Sequence, residues 1–109
     1  MELNILRADP AGNITVFVLD PVEKAQRAAI AEKIMAIPAL KAEQVGYACA
    51  AEDDVDGHME MMGGEFCGNA TRAYGMYIAQ QKGGLSSVRL RVSGCDHAVT
   101  AQVDLKSGT

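Results

Sequence analysis

No run of apolar residues in this 109-residue chain approaches the roughly 20 needed to cross a bilayer, so no membrane partner is expected. Basic runs are missing too. Lys and Arg number 10 against 14 Asp and Glu, a net charge of −4, which argues against nucleic acid, whose binders present a basic face. The opening MELNILRADP lacks the basic and apolar stretches of a secretory leader. Cysteine is scarce: Cys49, Cys67 and Cys95 cannot all pair within the chain, and no two stand in CxxC spacing. That spacing removes zinc ribbons and thioredoxin-like motifs, and no metal or other cofactor is expected. Free thiols in a reducing, cytoplasmic setting are the simplest expectation. Internal repeats and low-complexity segments are also absent.

What is present suits one small domain. Hydrophobic residues make up 49% of the chain, a globular level, and the length suffices for a modest core without staples. ELNIL and NITVFVLD read as strands about a turn at Asp9-Pro10-Ala11-Gly12, the second apolar enough to be covered on both faces. VEKAQRAAIAEKIMAI places Ile30, Ile34 and Ile37 at helical spacing among charges, with Asp20 as the expected N-cap and Pro38 past the end. EQVGYACA and HMEMM read as strands about an acidic hairpin turn, with His58, Glu60 and Met62 on one face of the second and Met59 and Met61 on the other. A helix over ATRAYGMYIAQQK carries a single charge, Arg72, before its QQK end, and Gly83-Gly84 stops it. VRLRV and VTAQVDL alternate as an antiparallel hairpin, with Val88, Leu90 and Val92 facing one way on one strand and Val99, Ala101, Val103 and Leu105 likewise on the other. The order β-β-α-β-β-α-β-β predicts an α+β fold in which a mostly antiparallel sheet curls around the second, central helix.

The chemistry concentrates in GGEFCGNATRAYG. A cysteine bracketed by Phe66 and Gly68 stands at the entrance of that helix, where Asn69 is the natural N-cap. The first backbone N–H groups of a helix have no intrahelical acceptor, and its dipole adds positive potential. Both effects favour a thiolate, and the same N–H groups suit a carboxylate. Backbone N–H groups of Gly68, Asn69 and Ala70 are the candidates for that carboxylate. Most cysteines in such half-apolar segments are simply buried small hydrophobes, and that is the reading for Cys49; Cys95 falls in a turn. Glu65 reads as an exposed loop carboxylate, Arg72 and Thr71 as first-turn groups within reach of an anion, and His58 and His97 as solvated residues without a carboxylate partner.

The run EFCGNATRAYG resembles the cysteine motif of the diaminopimelate epimerase superfamily, cofactor-independent amino-acid racemases and epimerases. PAGNITVFVLD is similar to the family's early Gly-Asn segment, and EQVGYACA to the segment that carries a substrate-contacting Gln. The three occur in the family's order. The resemblance implies Cys67 as a catalytic acid/base thiol, with Asn13, Gln44, Gly68, Asn69 and Ala70 binding substrate. It implies proton transfer at the α-carbon of an amino acid between two thiols on opposite faces, without pyridoxal phosphate.

The family's fold has two similar halves, each with a cysteine at a central helix. Residues 1–109 have the length of the N-terminal half, and no second Cys-Gly motif occurs. The expected partner is therefore the C-terminal half of the same enzyme, or a second copy related by a twofold. Before the motif stands the short MEMMGGEF, where diaminopimelate epimerases carry a longer stretch. The implied substrates are histidine or diaminopimelate, with histidine favoured. Asn69, where the phenazine-related branch has His, turns the reading from that branch. The competing class is a non-catalytic small-molecule binding or assembly module that keeps the fold.

Overall fold

β2 (Thr15–Val18) is wholly buried, each of its residues 0% exposed, as a mostly apolar strand with both faces covered should be. It belongs to a computed structural model that describes residues 4–8, 14–51, 54–95 and 97–102. Asn13, Val103, Leu105 and the Asp9–Gly12 turn lie outside them. The other elements are β1 (Ile5–Ala8), α1 (Lys24–Met35), β3 (Gln44–Cys49), β4 (Gly57–Met61), α2 (Gly68–Gln81), β5 (Ser87–Val92) and β6 (Val99–Gln102).

The strands form one open, six-stranded sheet in the order β1-β2-β3-β4-β5-β6. Adjacent strands pair antiparallel except β2 with β3 and β4 with β5, which are parallel and joined through α1 and α2. Because β3 and β4 are antiparallel, the two parallel pairs run in opposite directions. Right-handed crossovers, nearly universal, must then put the helices on opposite faces, and the packing agrees. α1 buries Ile30, Ala31 and Ile34 against Val16, Val18, Val45 and Tyr47. α2 buries Ala70, Tyr74 and Ala79 against Phe17, Met59, Met61, Val88, Leu90 and Val92. The sheet thus curls over α2 with the expected alternation, Met59 and Met61 inward and His58 and Glu60 outward. Burying side chains the size of Phe17 or Leu90 contributes roughly 1.5–3 kcal/mol each.

Helix ends depart from expectation. α1 begins at Lys24 with Glu23 at the N-cap and no side-chain cap, so Asp20 is not its cap. Asp20 instead accepts the backbone N–H of Asn4 at 2.7 Å and its amide at 3.2 Å, tying the start of β1 to the end of β2. The helix closes at Met35, which leaves Ile37 off the buried stripe and 44% exposed. α2 stops where expected, with Gly83 and Gly84 at positive φ and the Gly84 N–H on the Ala79 carbonyl at 2.7 Å.

The face under α1 holds a polar cluster. Arg27 pairs with Glu60, lies over the Tyr47 ring at 5.2 Å from its centroid, and reaches the Cys49 sulfur at 3.7 Å. His58 has a carboxylate partner after all, Glu60 at 3.6 Å, because alternate residues of β4 share a face. The Arg27 hydrogen bond holds the Glu60 carboxyl below its usual value, against the opposing effect of burial. A carboxyl depressed in the folded state contributes stability that is present above its unfolded value of about 4.3 and lost as pH falls through the folded value. Glu60→Gln is therefore expected to be less stable at neutral pH, and to lose less stability than wild type below about pH 4. Urea midpoints measured across pH check this; parallel curves would remove Glu60 from the acid limb.

Candidate active site

Cys67 itself, rather than Asn69, is the N-cap of α2, in extended conformation (φ −133°, ψ 112°). Its carbonyl accepts the Thr71 N–H at 2.9 Å and the Thr71 hydroxyl at 2.8 Å. That is the first bond of the helix, so the N–H groups of Gly68, Asn69 and Ala70 precede any intrahelical acceptor. The Asn69 side chain makes no cap; its amide oxygen accepts from Arg72 three residues on. The physical reason is register: the helix starts two residues earlier, and Thr71 supplies the hydroxyl that closes its first turn.

The thiol is half-buried and packs beside the core around α2. Gln44 Nε2 donates to Cys67 Sγ at 3.2 Å and to Thr15 Oγ1 at 2.8 Å. Gln44 and Thr15 are register partners on adjacent parallel strands, so the sheet sets both on the α2 face beside the helix entrance. The structure thus brings Gln44, Cys67, Gly68, Asn69 and Ala70 together, while Asn13 lies outside the described residues. Thr15, two residues beyond Asn13, is a neighbour the motif reading missed. Its signal was present: it is the only polar residue in ITVFVL.

The loop before Cys67 is held from the β5–β6 turn. Ser93 Oγ donates to the Glu65 carbonyl at 2.6 Å and accepts the Met61 N–H at 2.8 Å. Gly94 packs directly on Phe66. Glu65 stays exposed and accepts the nearby Gly63 N–H at 3.1 Å. No local pattern in the sequence announces Ser93 or Gly94 as supports.

The other thiols are differently placed. Cys49 lies on the α1 face, opposite the Cys67 side of the sheet, and is more than core filler because it meets Arg27. Burial, then the negative charge of Glu60, pushes its thiol up. Cys95 is half-buried against the α2 core and lines a cleft of about 570 Å3 with Lys24, Arg27, His58, Glu60 and Arg91. Arg27 and His58 there already meet Glu60, and Arg91 meets Asp54 at 3.4 Å. All three cysteines are free thiols. Among the described residues, no group of three or more His, Cys, Asp or Glu is placed to hold a metal ion, and no helix is long and apolar enough to cross a membrane.

The arrangement offers a sulfur with an N–H donor on it, next to a row of backbone N–H groups suited to an anion. That combination fits acid/base work on a carboxylate-bearing substrate. Sequence comparison finds similar proteins. A histidine racemase of Fusobacterium nucleatum subsp. nucleatum is 42% identical over 79 residues, covering 71% of this chain and 27% of the relative. A histidine racemase of Staphylococcus aureus (strain Mu50) is 34% identical over 99 residues, covering 87% of this chain and 36% of the relative. The chain therefore spans about a third or less of the length of these relatives. The family model described as the histidine racemase CntK N-terminal domain matches residues 2–109, and the chain belongs to that family.

Proposed function

We propose that this chain is the thiol-bearing N-terminal domain of a histidine racemase that works without pyridoxal phosphate, with Cys67 exchanging the α-proton on one face of the substrate. The second thiol comes from the C-terminal part of the same enzyme or from a partner chain. The observation that carries the proposal is the Gln44 N–H on Cys67 Sγ at 3.2 Å, at the entrance of a helix with open backbone donors. In this reading the N–H groups of Gly68, Asn69 and Ala70 take the carboxylate. They stabilise it most when loss of the α-proton makes it enediolate-like, which is the condition for lowering the barrier rather than only binding substrate. The thiolate takes the proton and, as thiol, returns it in the reverse direction. Asn13 is a further substrate contact in this reading, and the reducing cytoplasm, where thiols persist, is its natural setting.

The test is α-proton exchange in heavy water with L-histidine, D-histidine and diaminopimelate, followed by NMR and chiral chromatography, on the chain with its partner half present. Inversion of histidine supports the proposal. Inversion of diaminopimelate alone would reassign the substrate, and no exchange from either would sink the catalytic reading.

The thiol can be tested without a partner. Cys67 is expected to alkylate with iodoacetamide about tenfold faster than Cys95 near neutral pH, and histidine should slow it, since reactive thiols sit in electropositive, accessible places. Equal rates, or reaction only after denaturation, would remove the argument for a proton-transfer thiol. Protection by histidine without exchange would favour a binding module.

A further inference from the structure

The site holds a buried polar side chain that proton transfer as described does not use. Thr15 is 0% exposed, at a position where the rest of its strand is apolar. Burying a hydroxyl costs free energy unless it is hydrogen-bonded, and valine would suit a central strand better. Its oxygen accepts from Gln44 Nε2 at 2.8 Å, and the same nitrogen donates to Cys67 Sγ at 3.2 Å. A primary amide nitrogen has two hydrogens, so both donor directions of Gln44 are committed, one to the hydroxyl and one to the sulfur. That fixes the plane of the amide and turns its carbonyl oxygen away from the thiol. A thiolate can accept a hydrogen bond but cannot donate one, so this orientation suits the charged form of Cys67 and opposes the alternative in which a protonated thiol donates to the amide oxygen.

We propose that Thr15 is a positioning residue: its hydroxyl holds the Gln44 amide with an N–H on the Cys67 sulfur and so keeps that sulfur in its proton-accepting form. Thr15 is hydrogen-bonded to Gln44 and Gln44 to the sulfur, so Thr15 acts through Gln44. The placement needs the parallel β2–β3 register, in which Thr15 and Gln44 are partners. A one-residue slip would turn the hydroxyl to the α1 face and break the chain of bonds. The purpose of the lock rests on the racemase reading, but its existence does not.

The test is the pH profile of Cys67 alkylation by iodoacetamide, followed by peptide mass spectrometry, in wild type, Thr15→Val, Thr15→Ser and Gln44→Leu. Near neutral pH, Thr15→Val and Gln44→Leu are expected to alkylate about tenfold more slowly, the equivalent of one charge-assisted hydrogen bond at about 1.4 kcal/mol. At strongly alkaline pH, where the thiol is ionised in every variant, they should react as fast as wild type or slightly faster, because a less stabilised thiolate is the better nucleophile. Thr15→Ser keeps a hydroxyl and should restore most of the neutral-pH rate. A variant that had merely loosened the fold would react faster at every pH, so the crossing of the two profiles separates positioning from packing. An unchanged neutral-pH rate in folded Thr15→Val overturns the proposal. Should Thr15→Val fail to fold by circular dichroism, Gln44→Leu carries the decision: an unchanged rate there means the sulfur does not feel the amide. Alkylation needs no substrate, so the racemase reading can fail in the exchange assay while this pattern holds, and the reverse can also occur.

Discussion

Cys67→Ser is expected to abolish inversion of histidine in both directions while lowering α-proton exchange from only one enantiomer, by about a thousandfold. The asymmetry follows from the proposed two-base arrangement. Two bases on opposite faces of the α-carbon each remove the proton of one enantiomer, and inversion needs both. Serine keeps the shape of the side chain, but an alcohol holds its proton far more tightly than a thiol, so the face served by Cys67 loses its base. The other face keeps its own base and can still exchange, returning the proton to where it came from. A thousandfold loss corresponds to about 4 kcal/mol of transition-state stabilisation, within the range of a single general base. Fold loss is not the expected cause, since the backbone of Cys67 caps α2 and serine is a favoured N-cap. Exchange is followed from each enantiomer separately by loss of the α-proton signal in heavy water. An equal loss from both enantiomers would contradict the two-base arrangement, and undiminished exchange from both would remove Cys67 from the chemistry.

The second large effect lies away from the sulfur. Gly94 has φ +80°, and a Cβ built on it would stand 2.3 Å from the Phe66 nitrogen and 2.7 Å from the Phe66 Cβ. Gly94→Ala is expected to destabilise the domain by about 2–4 kcal/mol, combining left-handed backbone strain of roughly 1 kcal/mol with a clash against main chain that cannot swing aside. At about 4 °C per kcal/mol, Tm should fall by roughly 8–16 °C. Gly64 supplies the control, with φ +75° but nothing within 4 Å of an added Cβ. Gly64→Ala should therefore show only the strain, about 1 kcal/mol. Comparing the two by thermal and urea melts isolates the contact. Because Phe66 adjoins Cys67, Gly94→Ala should also slow α-proton exchange by more than Gly64→Ala does. Equal melting shifts for the two variants would mean that the turn yields and that Phe66 is not held from this side.

Periodicity carried the fold reading a long way. Alternation in HMEMM and VRLRV put Met59 with Met61, and Val88 with Leu90 and Val92, on shared faces, because a strand has only two, and the structure turns those faces to α2. Local chemistry was less informative at helix ends. Asp20 and Asn69 are both good caps by type, yet Asp20 is occupied by Asn4 across 16 residues and Asn69 lies inside the helix. A cap preference of about 1 kcal/mol is easily outweighed by such competition. The two parallel pairings were also invisible, since strand direction depends on how a crossover helix returns to the sheet. In the site, motif order pointed to Cys67 and Gln44, which the structure sets 3.2 Å apart. Ser93 and Gly94 carried no such signal, and Thr15 only its polarity in an apolar strand, for each matters through a partner distant in sequence: Gln44 is 29 residues from Thr15, and Glu65 is 28 from Ser93.

The hydrogen-bonded sulfur is also late-arriving. Cys67 lies 23 residues from its donor Gln44, which lies 29 from the Thr15 that braces it. Contacts of that separation must bear loop-closure entropy before they return any stabilisation. The donor can meet the sulfur only once two parallel strands have zipped together and α2 has docked across them. Any partly collapsed ensemble, however rich in helix or hairpin, holds Cys67 as an ordinary side-chain thiol. The environment of this one sulfur therefore reports on the topology of the whole chain, and its chemistry begins where folding ends.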